Sequence, residues 1–189
     1  MDSEIRQVLK ETARLHEAVA GQAGTIERMA RAMIAALRAG RSVYVMGNGG
    51  SAADAQHMAG ELVGRFLMER RPLPCVALCT DTSVMTAIAN DYGVEEVFRK
   101  QVQALARAGD VVIGISTSGN SRNVNLALEE ARRLGATPLG LAGRGGGAMT
   151  TLCDVCLVVP SDHAPRIQEV HGTVIHILCL LVEREVCRP

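Results

Sequence analysis

The chain has 189 residues, 48% of them apolar, and its 20 basic residues balance 20 acidic ones. That length and apolar content suit one folded domain with a full core and exclude a disordered chain. The charge balance points away from nucleic acid or another polyanion as partner. No apolar run is long enough to span a bilayer, so no membrane partner is expected. Met1, Asp2, Ser3 and Glu4 make an acidic start, unlike a secretory signal, and a cytoplasmic protein is expected.

Apolar spacing predicts the elements in chain order. Ile5, Val8, Leu9 and Leu15 mark a helix ending near Gly21. Ile26, Met29, Met33, Ile34 and Leu37 mark a second, closed by Gly40. The run 42–46 is a short β-branched strand leading into Gly47-Asn48-Gly49-Gly50-Ser51. Ala52, Ala55, Met58, Ala59 and Leu62 then carry a helix to about Phe66. Residues 68–74 read as a loop and 75–79 as a second strand. Ser83 is placed to cap a short helix through Ala89, with Asn90-Asp91 at its end. Phe98, Val102 and Leu105 mark another helix, stopped by Gly109.

Residues 110–115 form the third strand, followed by the loop 116–121 and a helix with Val124, Leu126, Leu128, Ala131 and Leu134. Strands at 138–142 and 155–159 flank a glycine-rich loop at 143–147. Pro165 suits the first turn of a last helix running from Arg166 to about Val186. No repeat or linker divides the chain, so a single domain is expected: a helical pair over 1–40, then an α/β core over 41–189. Strands alternating with helices imply a three-layer α/β sandwich on a five-stranded parallel sheet. Of the six cysteines, Cys75, Cys79 and Cys179 sit in apolar runs and read as reduced core thiols. Cys153 and Cys156 have zinc-like spacing but no second pair, and they too read as core thiols.

Two loops carry polar chemistry. In 47–51 the glycines allow a tight turn whose backbone N–H groups face outward at a helix start, which suits a phosphate. Ser51 can cap that helix or reach a phosphate oxygen. The second loop, 116–121, offers Ser116, Thr117, Ser118 and Ser121, more hydroxyls than one cap needs. In a sheet of order 2-1-3-4-5 the loops after strands 1 and 3 flank the switch point where ligands bind.

His57 and Glu61 are four residues apart, hence on one helix face, about 6 Å apart along the axis. They can share a metal ion or act as an acid–base pair. Gln168, His171 and His176 lie on the apolar last helix. Gln168 and His176 are about 12 Å apart along its axis and about 80° around it, so only long side chains converging from both ends could meet at one ion. A lone histidine on such a helix is more often a satisfied core residue than a ligand.

These residues together resemble the sugar isomerase (SIS) domain family, and within it the phosphoheptose isomerase group. The resemblance is carried by 47–51, by His57, Glu61 and Arg65, by Asn90-Asp91 and by 116–121. It continues in the run Arg166-Ile167-Gln168-Glu169 with His171 and His176. It covers nearly the whole chain; the serine loop is common to many SIS proteins, and the His57/Glu61 and Gln168/His176 sets are more specific.

The resemblance implies a flavodoxin-like SIS fold and a homotetramer with sites at subunit contacts. It also implies a divalent metal, usually zinc, held by His57, Glu61, Gln168 and His176. It places Ser51, Ser116, Ser118 and Ser121 near a substrate phosphate, and makes Asn48, Gly49, Gly50, Arg65, Asn90, Asp91, Thr117 and Gln168 substrate-site candidates. Relatives often carry an acidic residue where this chain has Pro165.

The activity implied is aldose–ketose isomerisation of sedoheptulose 7-phosphate through an enediol, the first step of nucleotide-activated heptose synthesis. Glu61 would be the base and His176 the partnering acid/base. Two rivals are a non-catalytic SIS-type adaptor for a replication initiator and a sugar-phosphate sensor. Retention of Glu61 and His176 favours the enzyme. An oligomer is also expected because the last helix is apolar around most of its circumference and the two leading helices exceed what the sheet needs.

Overall fold

A computed structural model describes residues 1–187. The strands are β1 Val43–Gly47, β2 Cys75–Ala77, β3 Val111–Ser116, β4 Thr137–Ala142 and β5 Val155–Val158. They pair in parallel, in the order β2-β1-β3-β4-β5. The helices are α1 Asp2–Ala20, α2 Ala23–Arg38, α3 Gly50–Val63, α4 Thr82–Tyr92, α5 Val97–Leu105, α6 Arg122–Arg133, α7 Met149–Leu152 and α8 Ala164–Val186.

Alternate strand residues feed two cores. Val43, Val45, Val111, Ile113, Ile115, Leu139 and Leu141 face α2, α3 and α8. Tyr44, Met46 and Val112 face α5, α6 and α7 on the other side. Burial on both faces is why β1 and β3 are apolar throughout rather than alternating. Gly114 of β3 has a packing role: a Cβ there would lie 2.7 Å from Val124 Cγ1, so α6 sits close against the sheet. Register pairs Val45 with Ile113 and Gly47 with Ile115. The carboxyl ends of β1 and β3 are therefore level, and the loops that leave them lie side by side at the switch point.

The expected three-layer sandwich and strand order are what the structure shows, with local differences. Helix α3 stops at Val63, because the chain reverses direction from Gly64 onward. Strand β2 is confined to the three residues that pair with β1 at the sheet edge. The cap of α4 is Asp81, whose carboxylate accepts from the Val84 N–H at 2.9 Å, not Ser83. Asp81 stands one residue before the first turn, where a side-chain oxygen can reach an unpaired N–H two or three residues on. Asn90 and Asp91 lie within α4 rather than after it. The glycine loop holds a 3-10 turn and is followed by α7, which the sequence did not suggest.

Helix α8 buries Ile167, Val170, Val174, Ile175, Leu178, Cys179 and Val182, packed by α3, α2 and α1 of its own chain. The stripe of α2, namely Ile26, Met29, Met33 and Leu37, is likewise buried in the same chain. Much of the apolar surface that suggested an intersubunit bundle is thus covered within one chain, while Ile5 and Leu9 of α1 remain exposed. All six cysteines are free thiols. Cys153 and Cys156 both pack over Gly140, where a Cβ would stand 2.9 Å from each sulfur. Burial pushes the Cys75 and Cys179 thiols up to about 12, which leaves them protonated and inert.

Candidate active site

The first loop is shaped by its glycines. Gly49, the cap position of α3, adopts φ 55 and ψ −121, a conformation suited only to glycine. A Cβ on Gly50 would stand 2.8 Å from Gln168 Cδ, so its absence admits the α8 amide against the start of α3. Ser51 is not the cap; it lies inside the first turn and is buried.

In the second loop the Ser121 hydroxyl turns away from the helix cap and meets Ser116 Oγ at 2.9 Å. Ser118 Oγ lies 3.4 Å from Ser116 Oγ and accepts from the Asn120 N–H at 3.1 Å. Three hydroxyls therefore gather where β3 ends and α6 begins, at the positive end of the α6 dipole, an arrangement suited to an anion. Thr117 between them is half-buried. A reciprocal amide pair ties the two loops together: Asn48 and Asn123 each donate to the other at 2.9 Å. The side chain of Asn48 is thus spent on Asn123, which sequence reading passed over. Its only signal is its place in the first turn after the serine loop, and the pairing becomes visible once β1 and β3 are neighbours.

About two turns further along α3, a second constellation forms. His57 Nε2 is 3.1 Å from Glu61 Oε1, as the four-residue spacing requires. Helix α8 brings His176 Nε2 to 3.1 Å from His57 Nε2, with the two rings edge to face. The Phe66 ring packs on His176 at 5.6 Å between centroids. The ligand-capable atoms of His57, Glu61 and His176 all lie within 4.8 Å of one another.

Two neutral imidazoles and a carboxylate cannot all satisfy each other here, since Glu61 only accepts and each ring carries one N–H. A shared proton or a cation resolves the conflict. Two ligands of one tetrahedral zinc, each about 2.0–2.1 Å from it, stand about 3.3 Å apart, close to the His57–Glu61 and His57–His176 spacings of 3.1 Å, while Glu61 and His176 would draw together around the ion, and an N/N/O donor set suits zinc. The three residues fit a divalent metal. They also meet within a single chain, so α8 serves its own α3.

Other expected site residues stand apart from this trio. Gln168 packs at Gly50, about 12 Å along α8 from His176. Arg65 is exposed, 4.0 Å from the Glu69 carboxylate. Asn90 and Asp91 are exposed, and Asn90 donates to Asp91 at 2.8 Å. Asp54, one turn before His57, has a buried carboxylate oxygen with no partner among the described residues. Burial raises its pKa and the nearby His57 works against that rise. His171 is a core residue: it is fully buried, its Nε2 meets the Ala142 carbonyl at 3.1 Å, and burial pushes its pKa down to about 4. Pro165 opens α8 as expected.

The sequence profile of the SIS domain family matches residues 8–143. The chain is 61% identical over 156 residues to the phosphoheptose isomerase of Pelobacter propionicus, covering 82% of each. The structure of phosphoheptose isomerase from Neisseria gonorrhoeae superposes with a TM-score of 0.92 at 41% identity, covering 97% of this chain and 98% of that one. The corresponding structure from Francisella tularensis gives a TM-score of 0.93 at 37% identity, covering 96% and 97%. Level loops at the switch point, a hydroxyl cradle and a converging His/Glu/His cluster are thus found in a chain that belongs to the phosphoheptose isomerase family of SIS-domain enzymes.

Proposed function

We propose that this aldose–ketose isomerase converts sedoheptulose 7-phosphate to glycero-manno-heptose 7-phosphate, the first step of nucleotide-activated heptose synthesis. The observation that carries the reading is the meeting of Glu61 with His57 and His176 on one side of α3, whose other end opens on the phosphate-type loops. Seven residues, about 10 Å of helix, separate Gly50 from His57. A sugar whose reacting carbons lie several bonds from its phosphate suits that separation.

Residues Ser116, Ser118 and Ser121, with the backbone of 48–51, hold the phosphate. Glu61 takes the proton from the carbon beside the carbonyl and returns it to the neighbouring carbon. Its Oε1 is engaged by His57, and Oε2, with no hydrogen-bond partner among the described residues, is the oxygen for that proton. His176 moves the proton between the two substrate oxygens. His57, Glu61 and His176 would hold a zinc ion, which when bound supplies Lewis-acid polarisation of the sugar oxygens, and Gln168 would have to leave its contact with Gly50 to join them. Gln168, Arg65, Thr117, Asn90 and Asp91 are assigned to the remaining sugar hydroxyls and phosphate oxygens.

We further assign a cytoplasmic homotetramer. An apolar groove of 520 Å³ between α1, α2 and α8, lined by His16, Val19, Ile26, Val170, Val174 and Ile177, supports burial against another subunit. No helix among the described residues is long and apolar enough to cross a membrane. The reading is tested by incubating the purified protein with sedoheptulose 7-phosphate and with shorter ketose phosphates. Turnover of the heptulose is expected to dominate, and equal or preferred turnover of a shorter sugar would overturn the substrate assignment.

A further inference from the structure

Glu183 lies on the last turns of α8, two turns beyond His176 and far along the chain from Glu61, and its side chain is 1% exposed. A carboxylate so deeply buried is costly unless its lone pairs are filled. Here they are. Oε1 accepts from the Phe66 N–H at 3.0 Å and from Arg70 Nε at 3.1 Å. Oε2 accepts from the Leu67 and Met68 N–H groups at 2.8 and 2.9 Å. Three consecutive backbone N–H groups curl around one carboxylate, the geometry of an anion-binding nest, with a side chain as the anion.

The partner, Arg70, is also buried, its side chain 3% exposed. Its guanidinium does more than balance charge. Nη2 donates to the Glu61 carbonyl at 2.8 Å. Nη1 donates to the carbonyls of Leu62 and Gly64 at 2.8 and 2.9 Å. The last carbonyls of a helix have no partner within it, so Arg70 caps the very turn of α3 that carries Glu61. The reversal it secures also carries Arg65 and sets the Phe66 ring against His176.

We propose that Glu183 and Arg70 are the positioning residues of this active site: their buried pair clamps the 64–70 reversal, and through it the orientation of Glu61 and His176. The proposal rests on the isomerase reading for its kinetic consequence and on the structure alone for its geometric one. Such supporting contacts commonly change activity or metal affinity by roughly ten- to a hundredfold.

The test compares folded variants well below their melting temperatures, with circular dichroism and gel filtration confirming the fold. Glu183→Gln keeps the shape but turns one acceptor arm toward donors. Arg70→Lys keeps the charge but cannot bond Glu183 and bridge three carbonyls together. Both are expected to lower kcat tenfold or more, with a smaller change in KM, and to shift the ring resonances of His176 in nitrogen-detected NMR. Normal kcat and unmoved His176 signals in folded Arg70→Lys would overturn the proposal, because charge balance alone would then suffice. Should either variant fail to fold, Phe66→Leu leaves the buried pair intact and removes the contact with His176. It is expected to shift the same signals and lower kcat, and an unchanged spectrum and rate would equally overturn the clamp. A wild-type protein without isomerase activity would remove the functional reading, while the His176 resonances would still decide the clamp.

Discussion

The α3–α8 seam and helix α4 both carry candidate site residues, yet they are held in opposite ways. Along the seam, Ser51, Ala55, Met58 and Leu62 of α3 are buried against α8 and the sheet. The seam closes at one end on Gly50 and Gln168 and at the other on the Arg70–Glu183 pair. Helix α4 has no buried residue, and Val84, Tyr92 and Val94 around it are exposed. Groups that move protons need placement to fractions of an ångström, and the seam supplies it. Asn90 and Asp91 ride on the exposed side of a helix that is anchored through the half-buried Met85, Ile88 and Ala89. The contrast divides the proposed site into a rigid chemical half and an exposed binding half.

The sharpest way to break the rigid half is Glu61→Gln, which keeps the hydrogen-bonding shape and removes the base. The expected loss in kcat is on the order of a hundredfold or more with the oligomer intact. Near-normal turnover would take Glu61 out of the mechanism. Because Glu61 and His176 meet within one chain, mixing Glu61→Gln with His176→Ala subunits is expected to restore no activity. Chelation is the next test. About one metal per subunit is expected after gentle purification, with most activity lost on its removal and recovered on adding zinc. Full activity in metal-free protein would reduce the trio to an acid–base site.

Acid should loosen the rigid half before the exposed one. His171 is buried beneath the seam with its pKa lowered to about 4 by burial, against which its bond to the Ala142 carbonyl works. Below about pH 6.5 the unfolded chain takes up a proton that the folded chain refuses. The stability present above that range is lost as pH falls through about 4, at a cost of about 3 kcal/mol. Denaturant midpoints across pH 7 to 4 measure it, and His171→Phe should flatten the dependence.

Smaller effects sharpen the binding half. Ser118→Ala and Ser121→Ala should each weaken substrate binding by roughly 1–2 kcal/mol, and inorganic phosphate should compete. A substrate complex with its phosphate elsewhere would refute the placement. Asp81→Ala removes the α4 cap and should lower stability by about 1 kcal/mol, the usual worth of such a cap, on a helix whose packed face is the half-buried Met85, Ile88 and Ala89. A larger loss would mean that α4 is buried in the assembly.

The alternation of strands and helices, the two loops and the His57–Glu61 spacing were all legible in the sequence, while the strand order came with the flavodoxin-like fold that the resemblance implied. Each legible feature is a local pattern: a short apolar run, a period of 3.6, a glycine that a turn demands, or two residues one helical turn apart. Misreadings clustered where neighbouring residues compete for one job, as when Asp81 takes the cap expected of Ser83. The resemblance of motifs brought Gln168 and His176 into the picture, but spacing alone could not say which of them reaches His57.

What the sequence determined by itself was thus the parallel sheet and the chemistry available at its carboxyl edge, because hydrophobic periodicity and turn chemistry are written over a few residues at a time. Only the tertiary structure decided that α8 lays His176 on His57, that Asn48 pairs with Asn123, and that Arg70 and Glu183 form a buried pair. In the chain Arg70 sits in a charged stretch that reads as solvated loop, and Glu183 ends an apolar helix. Neither leaves a periodic trace, because a buried ion pair joining residues so far apart is selected by the three-dimensional packing that excludes water from both.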